Sequence, residues 1–170
     1  VCAFSESMLG VIVSQLINPG TCVIIGGVQS ILDMQYSVYS YGAPELSLLS
    51  AALTEMAQYV GLPMFSTAGC TDTKILDPQG AIESATSIHS AMLSGANFIH
   101  DVGYFESGMT GSVLQLVMAD EQIGMSHAVA KGIEVNEDTL AVEEICSVGP
   151  GGNYLDLDHT KKHLPSHWKP

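Results

Sequence analysis

The chain of 170 residues contains no arginine, and its five basic residues (Lys74, Lys131, Lys161, Lys162, Lys169) face 18 Asp and Glu, for a formal net charge of −13. Nucleic-acid binders neutralise phosphates with clustered Lys and Arg, so this balance excludes that class. An anionic membrane surface would repel the chain. Ligands gripped by a bidentate guanidinium, phosphates and many dicarboxylates among them, lose their usual partner. A cationic or neutral ligand suits the field better. Long apolar runs are also missing: none approaches the ~18 residues of a membrane span. The longest candidate, Met8 to Ile17, is interrupted by Ser14 and Gln15 and lacks the basic flank of a signal peptide. The four cysteines (Cys2, Cys22, Cys70, Cys146) form no Cys-x-x-Cys, so they read as reduced thiols in a cytoplasmic protein. Aromatics are only 6% of residues, which makes the cluster Tyr36, Tyr39 and Tyr41 stand out.

What is present is a hydrophobic fraction of 46%, enough for a core, arranged in an alternating pattern. A helix is predicted over 6–17, closed by Asn18-Pro19-Gly20. The run Thr21-Cys22-Val23-Ile24-Ile25 is too short for a helix and reads as a buried strand ending at Gly26-Gly27. Residues 29–42 read as an irregular loop. Pro44 and Glu45 open a second helix with Leu46, Leu49, Leu53, Met56, Ala57 and Val60 on one face, capped by Gly61. A strand over 63–68, a polar loop over 69–77, a helix over 78–94 capped by Gly95, and a strand over 97–100 follow. Beyond a loop over 101–108, helices are predicted over 109–130 and 137–147, the second with Asn136 as N-cap. A tail rich in Gly, His and Pro begins at Gly149. This order predicts parallel α/β architecture. A doubly wound sheet and a (β/α)8 barrel both satisfy it. A barrel takes ~250 residues, so on that reading, with Val1 in place of Met, the chain is a fragment. Both folds put their sites in the loops after the strands.

Those loops hold the candidate chemistry. Gly26-Gly27 lacks the G-x-G-x-x-G spacing and reads as a tight turn rather than a phosphate cradle. His100 and Asp101, with Tyr104 and Glu106, concentrate acid/base groups at one strand end. Cys70, with Asp72 and Lys74 nearby, is either a thiolate nucleophile or a small buried residue in a turn. The tail His159-x3-His163-x3-His167, with Asp156 and Asp158 nearby, has metal-like spacing, with Pro165 breaking any helix before His167; the alternative is a tail docked through Leu164 and Trp168. Aromatic faces at strand ends, combined with carboxylates, bind quaternary ammonium groups.

The stretches Ser40-Tyr41-Gly42-Ala43-Pro44-Glu45, Gly61-Leu62-Pro63, Asp77-Pro78-Gln79-Gly80-Ala81, Ser94-Gly95-Ala96-Asn97, His100-Asp101-Val102-Gly103-Tyr104, Gly132-Ile133-Glu134-Val135 and Val148-Gly149-Pro150-Gly151-Gly152, with His159-Thr160, resemble the trimethylamine:corrinoid methyltransferase family. The resemblance is collinear over nearly the whole chain. It implies a (β/α)8 TIM barrel of which residues 1–170 are the C-terminal portion of a single domain. It also implies methyl transfer from trimethylamine, or from a quaternary amine such as glycine betaine, to the Co(I) of a corrinoid carried by a cognate partner protein. No cofactor would then be bound directly by this chain, and the full-length form would be a homo-oligomer. Pyrrolysine occurs in the trimethylamine enzymes of methanogens but not in many relatives, which leaves the amine open. On this reading His100, Asp101 and Glu106 are catalytic, and Gly26, Tyr36, Tyr41, Cys70, Asp72 and Tyr104 bind substrate. The alternatives are a non-catalytic remnant or split subunit, and a metal-dependent barrel enzyme using His159 and His163. An incomplete barrel would expose its strand edges and an apolar inner face.

Overall fold

A computed structural model describes residues 1–169. The chain divides into two compact units, Val1–Ala130 and the residues from Lys131 onward. In the first, helix α1 (Cys2–Ile17) ends at Asn18, and the Gln15 side chain accepts from Gly20 N–H at 2.8 Å and donates to the Thr21 carbonyl at 2.8 Å. Strand β1 (Ile25–Gly26) is shorter and later than the predicted 21–25 run. The predicted loop over 29–42 holds an antiparallel hairpin, β2 (Ile31–Asp33) and β3 (Val38–Ser40). Its turn is built by the Asp33 carboxylate, which accepts from the N–H groups of Gln35 (2.8 Å) and Tyr36 (3.1 Å), with Ser37 at φ 56°.

Helix α2 (Pro44–Tyr59) begins with Pro at its first turn and closes through Gly61, whose φ of 71° lets Leu62 N–H reach the Ala57 carbonyl at 2.9 Å. Strand β4 (Met64–Thr67) follows. Helix α3 (Pro78–Ser94) has the predicted limits: the Asp77 side chain accepts from Gly80 N–H at 2.8 Å, and Gly95 caps it at φ 80°. After β5 (Phe98–His100), a second hairpin, β6 (Tyr104–Phe105) and β7 (Thr110–Gly111), delays helix α4 to Val113–Ala130.

Strands β1, β4 and β5 form one parallel sheet in chain order, with Gly26 opposite Phe65, Phe65 opposite Phe98 and Thr67 opposite His100. Side chains alternate across it. Ile25 and Met64 point to helices α1 and α2, where they pack with Leu53, Ala57, Phe4 and Met8. Ala68 and Ile99 join Ile88, Ala91, Ala119 and Ile123 of α3 and α4. The opposite face carries Phe65, Thr67, Phe98 and His100, and Phe65 and Phe98 are 42% and 53% exposed. The first unit is thus a mixed α/β structure whose parallel sheet is covered by helices on one face and open on the other.

From Lys131 onward the elements are short: α5 (Glu137–Leu140), α6 (Val142–Val148) and α7 (Asp158–His163). The single helix predicted over 137–147 is broken at Ala141, which has φ 47°. Asn136 caps α5 reciprocally with Thr139. Among the described residues, no helix of either unit is long and apolar enough to cross a membrane.

Candidate active site

His100 ends β5 on the open face. Its Nδ1 lies 2.9 Å from the Asp101 carboxylate and its Nε2 lies 3.0 Å from Thr67 Oγ1. With Nδ1–H donating to the carboxylate, Nε2 accepts from the Thr67 hydroxyl, which sets the tautomer. The imidazole stacks on Phe65 with ring centroids 4.3 Å apart and planes at 10°. Phe98 stands beside Phe65 at 6.4 Å. The ring is therefore held at three points, one charged, one polar and one aromatic. Asp101 adopts φ 73°, a left-handed backbone that is costly for a residue with a Cβ.

The Asp101 charge reaches further. Burial and then Asp101 push the Cys70 thiol up to about 12, and the same two causes raise Tyr41 above its ordinary value. Cys70 is buried and stays a neutral thiol, so the structure disfavours the thiolate reading of that residue.

Asp72 occupies a different position. Its carboxylate accepts from the Ser40 hydroxyl, from Tyr41 N–H at 2.7 Å and from the Ser107 hydroxyl at 3.3 Å. Its own N–H donates to Glu83 at 2.8 Å. Backbone bonds from Thr71 N–H to Tyr104 O (3.1 Å), Glu106 N–H to Thr73 O (2.9 Å) and Ser107 N–H to Thr71 O (3.2 Å) bind the same loops together. Asp72 is thus the knot of three loops. Next to it a cleft of about 490 Å³ is lined by Tyr36, Tyr39, Asp72, Lys74, Glu106 and Met109. Lys74 bridges to Glu106 across 3.1 Å, and both side chains are exposed.

The residues expected at the site fall into two neighbouring groups. His100, Asp101, Cys70 and Tyr41 gather at the strand ends; Tyr36, Asp72 and Glu106 line the cleft. Tyr104 is half-exposed and contributes its carbonyl to the loop knot. Gly26 is explained by packing: a Cβ there would lie 2.3 Å from the Phe65 carbonyl oxygen, and its own carbonyl accepts from Ser7 Oγ at 3.2 Å. The sequence reading missed Thr67, Ser40 and Glu83 as partners, and nothing local signals the last two. A period-2 reading aligned on His100 would have found Thr67, since register pairs the two.

In the second unit, His159 Nε2 is 2.7 Å from the Asp138 carbonyl and His163 Nε2 is 2.9 Å from the Asp138 carboxylate. Lys162 Nζ reaches the other carboxylate oxygen at 2.6 Å. The Lys162 hydrogen bond foremost, and then His163, hold the Asp138 carboxyl below its ordinary value. Leu164 and Trp168, the expected docking residues of the tail, are 56% and 44% exposed.

The sequence model of the family described as "Trimethylamine methyltransferase (MTTB)" matches residues 1–170. The chain is 39% identical over 158 residues to trimethylamine methyltransferase MttB of Methanosarcina thermophila, covering 93% of this chain and 33% of the relative. It is 37% identical over 160 residues to a glycine betaine methyltransferase of Desulfitobacterium hafniense (strain Y51), with 94% and 33% covered. To the MttB of Desulfitobacterium hafniense (strain DSM 10664 / DCB-2) the identity is 36% over 159 residues, with 94% and 32% covered. The chain spans about a third of the length of the curated relatives it matches.

Proposed function

The chain belongs to the trimethylamine methyltransferase (MTTB) family, and from that premise we propose that it is the C-terminal part of a (β/α)8 barrel methyltransferase. The complete protein would move a methyl group from trimethylamine, or from a quaternary amine such as glycine betaine, to the Co(I) of a corrinoid on a cognate partner protein. The observation that carries this reading is the open sheet face. In a doubly wound fold both faces of a parallel sheet are covered by helices. Here α1 to α4 all pack on one face, and the other bears Phe65, Phe98, Thr67 and His100, as the inner wall of a barrel would.

The chemistry of that wall suits a methylated ammonium. Aromatic faces attract such a cation without demanding hydrogen bonds, which a quaternary nitrogen does not offer. The corrinoid is the methyl acceptor, a substrate brought by the partner, and its Co(I) supplies the nucleophile. As the C–N bond breaks, its electron pair stays on nitrogen and the amine leaves neutral. A carboxylate in direct contact with the ammonium would therefore favour the ground state over the transition state. Of the carboxylates expected at the site, Asp72 is engaged by the loop knot and Glu106 by Lys74. Asp101 contributes a field softened by His100, and the stacked His100–Phe65 pair gives the cation a fixed surface against which to align its methyl group.

The test uses the complete protein with its corrinoid partner and follows amine-dependent methylation of Co(I) by absorbance. Methylation by trimethylamine or glycine betaine supports the reading; none with any N-methyl amine overturns it. Phe98→Leu is expected to raise KM about 5–30-fold for a cationic amine, the size of a cation–π contact of about 1–2 kcal/mol, and Asp101→Asn to raise it by less, because His100 softens that charge. The open reading frame around this chain, including any in-frame amber codon, decides between a barrel enzyme and a split subunit.

A further inference from the structure

Among the described residues from Lys131 onward, no side chain is buried. Units below about 40 residues usually need a disulfide, a metal or an oligomeric partner to hold their shape. The cysteine of this segment, Cys146, is free and exposed. What ties α5 to α7 is a single cluster, Asp138, His159 and His163, whose ligand-type atoms all lie within 4.8 Å of one another. His159 and His163 stand one turn apart on α7 with ring centroids 4.4 Å apart. Asp138 is positioned by the capping box of α5.

We propose that Asp138, His159 and His163 bind one divalent first-row transition-metal ion, of which Zn²⁺ is the best fit, stapling α5 to α7. Two imidazole nitrogens and one carboxylate oxygen make a donor set suited to zinc, with a fourth position open to water. Ligands about 2.1 Å from a tetrahedral zinc lie about 3.4 Å from each other. His163 Nε2 and Asp138 Oδ2 are already 2.9 Å apart, so small side-chain rotations open the cluster around an ion. Each imidazole must present a bare nitrogen to the ion, so the Nε2 protons that now face the oxygens of Asp138 move to Nδ1 on binding. Lys162 is the competing cation. Its ammonium lies 2.6 Å from Asp138 Oδ1 and gives way when a dication arrives.

The experiment titrates Zn²⁺ into the untagged chain by calorimetry and Co²⁺ by visible absorption. A Cys2→Ser/Cys22→Ser/Cys146→Ser background removes the exposed thiols as rival ligands. The expected result is one ion per chain and an affinity lowered roughly tenfold or more in each of His159→Ala, His163→Ala and Asp138→Asn. His127→Ala, outside the cluster, leaves it unchanged. Lys162→Met, which removes no ligand, binds at least as tightly as the parent. No binding, equal binding by the three ligand variants, or weaker binding by Lys162→Met would overturn the proposal.

Discussion

The two units of this chain keep their shape by different means. In residues 1–130, Met64, Leu53, Ile25 and Ile88 are buried between sheet and helices, and shape follows from apolar area removed from water. From Lys131 onward most of the large apolar side chains, Ile133, Val135, Leu140 and Ile145 among them, are exposed, and polar links do the joining. The first unit should therefore answer to changes in side-chain volume, and the second to protons and cations.

The largest expected effect tests that division directly. Met64→Ala leaves a cavity at a fully buried position and should cost about 2–5 kcal/mol in urea unfolding. Hydrogen exchange of residues 131–169 should stay as it was; a parallel loss of protection there would break the distinction. Next is Gly26→Ala, whose Cβ meets the Phe65 carbonyl oxygen and should cost about 1–3 kcal/mol by forcing β1 from β4. Asp77→Ala removes the N-cap of α3, a loss of about 0.5–2 kcal/mol in the same assay.

Two pH effects complete the series. Because Cys70 is raised in the folded state from 9.0 to about 12, the unfolded chain releases its thiol proton first. Stability from this group is present below pH 9.0 and declines as pH rises toward about 12. Alkylation followed by mass spectrometry should accordingly label exposed Cys2, Cys22 and Cys146 and spare Cys70. The smallest effect belongs to Asp138. Its carboxyl is lowered when folded, so its contribution is present above the ordinary value of 3.8 and fades as pH falls below it. Exchange protection of α5 should decline in acid in the wild type and change less in Asp138→Asn.

How far these features are legible in the sequence depends on whether their cause is local. Helix α3 can be read to the residue because Asp77, Pro78 and Gly95 each carry an end signal. The hairpin of β2 and β3 is hidden because its turn is made by the Asp33 side chain rather than by an Asn-Gly or Asp-Gly pair. Helix α4 starts later than its periodicity because Thr110 and Gly111 pair with Phe105 and Tyr104 in a hairpin whose turn residues Glu106 and Ser107 hold positive φ without being glycine, so no turn signal announces it. At the candidate site, the strand-end position of His100 and Asp101 follows from the βα pattern. The stack on Phe65 and the engagement of Asp72 do not, since each depends on register or on loops 31 or more residues apart.

The backbone of the loop after β5 has a consequence for how this protein can evolve. Asp101, Glu106 and Ser107 hold φ angles of 73°, 51° and 54°, which glycine would adopt without penalty. A population drifting in the laboratory under selection for heat resistance alone should collect glycine at 101 and 106. Each such step erases a carboxylate. On the methyl-transfer function proposed above, a population required to grow on a methylated amine should refuse the exchange at 101, so the two lineages would part at that residue.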